Sequence, residues 1–187
     1  MRPSPSSGEK PLFTVGAFLF VLFFVTLKVM KVISKSLANT AGVTSTILKN
    51  LKPKKDGATV LLLKGDLGSG KTTFVQALAR QLGVKNYITS PTFVLMKSYK
   101  IPVLTTERKG LSVKNLVHID AYRLNSGQDL LSLGWEELVS NPNNLIVLEW
   151  PEKVVDLFVG TEQQINFKFI DENTREKQWL ETATKQK

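Results

Sequence analysis

The chain has 187 residues, enough for one domain with a substantial core, and no cysteine, which excludes a disulfide framework and a thiolate metal site. A single histidine, His118, leaves zinc chemistry without a ligand set. Net charge is +9, of which residues 1–35 supply +4 through five basic residues against Glu9 alone; the remainder permits a polyanionic partner such as RNA without demonstrating one.

Residues 1–10 are rich in Pro and Ser and read as a disordered tail. Pro11 to Leu27 (PLFTVGAFLFVLFFVTL) carries no charge and sits at the lower length limit for a membrane span. Three readings stay open: a transmembrane anchor, a signal peptide, or an extension irrelevant to the domain. An anchor followed by Lys28, Lys31 and Lys35 would keep the domain on the cytoplasmic side. A signal peptide lacks a small-residue cleavage site. The expected division is therefore a tail and apolar segment over 1–35 and one domain over 36–187, cytoplasmic in either case.

Val32 to Leu51 reads as a helix or two, and Lys52 to Gly57 as a basic turn. Ala58 to Leu63 is an apolar run of the kind buried on both faces of a parallel sheet. Then comes the most informative stretch, G-x-x-x-x-G-K-T from Gly65 through Gly70, Lys71 and Thr72. An amphipathic segment with Phe74, Val75, Leu78 and Leu82 follows, closed by Gly83. Strand, glycine loop and helix in that order form a phosphate loop. A triphosphate needs many N–H donors converging on one point, and glycines let a backbone wrap that tightly. Lys71 would reach the β- and γ-phosphates, and the Thr72 hydroxyl would ligate Mg²⁺. Thr73 is either a further polar contact or an ordinary first-turn residue.

Farther on, Ile88–Thr89 and Phe93 to Met96 read as extended, with Thr89, Ser90 and Thr92 as hydroxyls near a γ-phosphate or as a polar turn. Lys97 to Lys114, with five basic residues against Glu107, reads as a surface loop or hairpin. Leu116 to Asp120 (LVHID) and Leu145 to Glu149 (LIVLE) are apolar strands, each ending in an acid. Ligands of open α/β sheets bind beyond the carboxyl ends of strands, so Asp120 and Glu149 are candidate Mg²⁺ or water-positioning groups. His118, alternating with apolar neighbours, reads as structural. Gln128 to Val139 is helical, interrupted at Gly134, and Gln164 to Ile170 alternates as a late strand; beyond Asp171 the chain is polar.

Together GDLGSGKTTF (65–74), SPTF (90–93), HIDAYRL (118–124), LGWEEL (133–138) and EWPEK (149–153) resemble the TsaE (YjeE) family, over about residues 36–180. That family consists of small P-loop ATPases of tRNA threonylcarbamoyladenosine synthesis. The resemblance implies an α/β fold, a three-layer sandwich around a mainly parallel sheet. It implies ATP and Mg²⁺ as cofactors, and a TsaB–TsaD heterodimer as partner, with tRNA reached indirectly through that complex. By the same resemblance Gly65, Asp66, Leu67, Gly68, Ser69, Gly70, Lys71, Thr72 and Thr73 would hold the phosphates. Thr72, Asp120 and Glu149 would form the metal site, and Lys71, Asp120 and Glu149 the catalytic set. Thr40 and Arg175 match nucleotide-contacting positions, and Ser90 to Thr92 a switch-like loop. The apolar N-terminal segment and the length of the basic 99–114 connection depart from the family pattern. Competing expectations are a small-molecule P-loop kinase, poorly supplied with a lid because no Arg lies between Arg123 and Arg175, and a membrane-anchored nucleotide-binding adaptor.

Overall fold

The computed structural model describes residues 27–51, 53–103, 113–158 and 162–182. Seven strands form one mixed sheet: β1 (Leu27–Ser34), β2 (Thr59–Gly65), β3 (Met96–Lys100), β4 (Asn115–Asp120), β5 (Asn144–Glu149), β6 (Gln163–Phe169) and β7 (Arg175–Thr182). Their spatial order is β1-β7-β6-β2-β5-β4-β3. The central strands β6, β2, β5 and β4 run parallel, while β3, β7 and β1 join antiparallel at the two edges.

Helices on both faces explain the apolar, buried runs of β2, β4 and β5. On one face α1 (Leu37–Asn50) and α2 (Lys71–Gln81) cover Leu61, Leu63, Leu116, Leu145 and Val147, with Val43, Ile47, Phe74 and Leu78 as their contribution. On the other, α3 (Gly127–Leu131) and α4 (Trp135–Ser140) cover Val60, Leu62, Val117, Ile119, Ile146 and Leu148. The alternation within each strand assigns each side chain to one layer, and the result is an α/β three-layer arrangement. Local signals set the helix ends. The Ser36 hydroxyl accepts from the Asn39 N–H at 3.1 Å to start α1. Gly134, in the left-handed region at φ 83°, divides α3 from α4 where the sequence reading placed a break.

The edges depart from expectation. Residues 27–34, left outside the domain in the sequence reading, form β1, paired over its whole length with β7. Val32 to Ser34 are therefore strand rather than the start of a helix, and within the polar stretch after Asp171 the segment Arg175–Thr182 is β7. Side chains alternate along both strands: Met30, Val32 and Trp179 pack on the core with Lys177 buried on the same face, while Val29, Ile33 and Leu180 are exposed on the other. Ile88 and Thr89 have no regular structure, and Thr92 to Val94 form a turn before β3 instead of an extended run. The hairpin reading of the basic stretch holds for β3 and β4, which pair antiparallel. The remainder of that stretch, 104–112, and the apolar segment up to residue 26 lie outside the described residues. Among the described residues no helix is long and apolar enough to cross a membrane.

Candidate phosphate-binding site

The loop after β2 takes its shape from its glycines. Gly65 lies at φ 147°, and a Cβ there would stand 2.2 Å from the Phe167 carbonyl oxygen on the neighbouring strand. Gly70 lies at φ 94° and caps α2. The first α-helical hydrogen bond runs from the Phe74 N–H to the Gly70 carbonyl at 3.0 Å, so the N–H groups of Lys71, Thr72 and Thr73 have no partner within the helix. That end of α2 offers donors and partial positive charge beside a cleft of about 400 Å³. Leu67, Gly68, Gly70, Lys71, Thr72 and Thr73 line one wall. Ser90, Thr92, Asp120, Tyr122, Glu149 and Trp150 line the other. A larger cavity of about 820 Å³ opens on the opposite face of the sheet and takes no residue of 65–73 in its lining.

Lys71 is buried in the loop, and its Nζ donates to the carbonyls of Gly65 (2.6 Å) and Asp66 (2.9 Å). The Trp150 ring covers the ammonium, with Nζ 3.8 Å from the ring centroid. Trp150 holds that position from a left-handed backbone at φ 62° and stacks at a tilt on Tyr122, 5.1 Å between centroids. Burial pushes the Lys71 pKa below its ordinary value, while the charges of Glu149, Glu152, Asp120 and Asp66 act the other way.

The two strand-end acids stand side by side, because Asp120 and Glu149 are register partners of parallel β4 and β5. Both are buried, and adjacent buried carboxylates repel unless donors or a cation meet them. Their partners differ. Glu149 accepts from the Thr72 hydroxyl (2.9 and 3.2 Å to its two oxygens) and lies 2.8 Å from His118 Nε2. Asp120 accepts from the Ser90 hydroxyl (3.1 Å), the Thr92 hydroxyl and the Tyr122 N–H (3.0 Å). Thr72 thus touches Glu149, on the strand next to the loop strand, and Asp120 lies one strand farther out, tied to the 90–92 turn.

A divalent ion fits this donor set. Among the described residues no three acidic, His or Cys side chains gather as a metal cage. A hydroxyl and one or two carboxylates are what Mg²⁺ asks of a protein when phosphate and water complete its octahedron. Thr40 and Arg175 do not line the cleft. Arg175 Nε donates to the Gly68 carbonyl at 2.8 Å, and its guanidinium lies over Phe169, so it braces the outer side of the loop. The Thr40 hydroxyl is buried against Ser34 (2.9 Å) and Lys177 (3.4 Å). The sequence marks Trp150 only as part of EWPEK, with no site role, and His118 reads there as structural. The signal for the latter was its position two residues before Asp120, hence on the same face of β4.

A family model described as "Threonylcarbamoyl adenosine biosynthesis protein TsaE" matches residues 34–179. The tRNA threonylcarbamoyladenosine biosynthesis protein TsaE of Rickettsia typhi is 37% identical over 128 residues, 68% of this chain and 78% of that protein. The Treponema pallidum protein of the same name is 31% identical over 147 residues, 79% of this chain and 97% of its own length. The crystal structure of Bacillus subtilis YdiB superposes with a TM-score of 0.62 at 25% identity, covering 84% of this chain and 88% of that one. A nucleotide-loop fold, the cleft beside it and relatives at this similarity lead to one conclusion: the chain belongs to the TsaE family of threonylcarbamoyl adenosine biosynthesis proteins.

Proposed function

We propose that the protein is the ATP-binding and ATP-hydrolysing component of tRNA threonylcarbamoyladenosine synthesis, working with a TsaB–TsaD heterodimer and meeting tRNA through that complex. The observation that carries the ATPase reading is the Thr72–Glu149 contact at the foot of the glycine loop, which joins a helix-start hydroxyl to a strand-end acid. The names of the relatives support the pathway.

In this reading Gly65 to Thr73 surround the phosphates, and Lys71 turns from the loop carbonyls toward them. Thr72 and Glu149 would hold Mg²⁺. Asp120 works from the next strand, keeping Ser90 and Thr92 and an attacking water in place. When bound, the ion would neutralise charge on the phosphate oxygens, and the remaining chemistry is positioning by the chain's own residues. Arg175 serves the nucleoside end, on the flank of the loop where it already meets Gly68, while Thr40, its hydroxyl buried against Ser34 and Lys177, takes no part. Trp150 must release Lys71 as the phosphates arrive, so its fluorescence is expected to change on binding.

The test is Mg²⁺-dependent release of phosphate from ATP by the full chain, alone and with TsaB–TsaD, and restoration of threonylcarbamoyladenosine in an extract depleted of the endogenous protein. Slow hydrolysis stimulated by the heterodimer is expected. A phosphorylated metabolite in place of free phosphate, or no restoration, would reject the reading.

A further inference from the structure

His118 is fully buried, and it is the one histidine of the chain. It shares a face of β4 with Leu116 and Asp120, the face that α2 covers. Its register partner on β5 is Val147, so its ring reaches diagonally across the strand pair to Glu149. Nε2 comes within 2.8 Å of Glu149 Oε1, the same oxygen that accepts the Thr72 hydroxyl at 2.9 Å. Nδ1 is buried with no partner among the described residues.

An apolar side chain would fill this place without a desolvation cost, so the one contact made by the ring is its distinguishing feature. An ionised carboxylate only accepts, so in this contact Nε2–H is the donor to Glu149. The glutamate terminal torsion is intrinsically broad. One donor, Thr72, leaves that torsion free to turn; a second donor arriving from another strand pins it.

We propose that His118 is a positioning residue of the metal site: through Nε2–H it fixes the Glu149 carboxylate so that Oε2 and the Thr72 oxygen face the divalent ion together. The proposal rests on the nucleotide and metal reading above. Groups that hold a metal-ligating side chain in orientation are commonly worth about 10- to 100-fold in metal affinity.

The experiment uses the full chain as wild type, His118→Leu and His118→Gln. Leucine keeps bulk and removes the donor; the glutamine amide can return a donor near Nε2. Two affinities are read: mant-ADP in EDTA by fluorescence, and Mn²⁺ for the ADP-loaded protein by electron paramagnetic resonance. Expected are metal-free mant-ADP affinities within about twofold for all three proteins, Mn²⁺ affinity about 10- to 100-fold weaker in His118→Leu, and substantial recovery in His118→Gln. Wild-type Mn²⁺ affinity in His118→Leu overturns the proposal, as does a glutamine variant no better than leucine with mant-ADP binding intact. If the leucine variant fails to fold, glutamine against wild type decides: near-equal Mn²⁺ affinity supports the role, and a loss of 10-fold or more overturns it. Wild-type protein that takes mant-ADP but no Mn²⁺ rejects the metal reading itself and the role with it.

Discussion

Two polar clusters are buried on the same face of the sheet, and they meet their charge in opposite ways. Around Glu149 a carboxylate gathers donors, the Thr72 hydroxyl and His118 Nε2, and still opens on the cleft. Around Lys177 a cation is buried with the Thr40 hydroxyl at 3.4 Å, and among the described residues no acid lies within salt-bridge distance. Burial, with the Arg175 charge adding to it, lowers the Lys177 pKa to about 8. Burial of a polar group therefore does not mark a site by itself. The first cluster meets its carboxylate with two donors at the edge of a cleft; the second carries a desolvation cost offset in part by the Thr40 hydroxyl and the Phe167 ring, 5.9 Å from Nζ.

The comparison can be broken most easily at the first cluster. Lys71→Ala should remove nucleotide binding by ~100-fold or more, since charged hydrogen bonds from a buried ammonium are lost; titration with mant-ADP reads this, and near-normal affinity would show that the loop wall does not grip phosphate. Glu149→Ala should lower ATP hydrolysis by ~100- to 1,000-fold, with much less effect on binding. Wild-type turnover in that variant would dissolve the distinction between the clusters.

The second cluster should respond in the opposite direction. Lys177→Met keeps the bulk and removes the charge, and is expected to raise stability by about 1–3 kcal/mol at pH 7 in urea unfolding. The folded pKa is depressed below the ordinary 10.5, so between pH 8 and 10.5 the unfolded chain binds more protons and wild-type stability rises with pH. The advantage of the methionine variant should be full below pH 8 and shrink as pH climbs toward 10.5. A constant gap, or a destabilised variant, would mean that Lys177 has a compensating partner. Least affected should be Asp120→Ala, with hydrolysis lower by ~10-fold and nucleotide affinity little changed, because its donors are Ser90, Thr92 and the Tyr122 N–H rather than the loop. An effect as large as that of Glu149→Ala would place both acids on the ion.

Much of the centre of this molecule could be read from the chain. The run Leu61 to Leu63, the loop Gly65 to Thr72 and the spaced apolar residues of α2 are local, and each element carries its own signal in hydrophobic period or glycine placement. The acids closing LVHID and LIVLE were legible for the same reason. The edges were not. β1 and β7 earn their strand state from each other, and a half-polar sequence such as REKQWLET shows its alternation only once a partner is known.

Sequence alone thus determined that a phosphate loop exists and that two apolar strands each end in an acid, because backbone geometry and side-chain period are properties of consecutive residues. Only the tertiary structure decided how the two acids are partnered, that His118 reaches Glu149 across a strand pair, and that Trp150 lies over Lys71. Those are contacts between residues far apart in the chain, set by strand order and register, and none of them is written in any one segment.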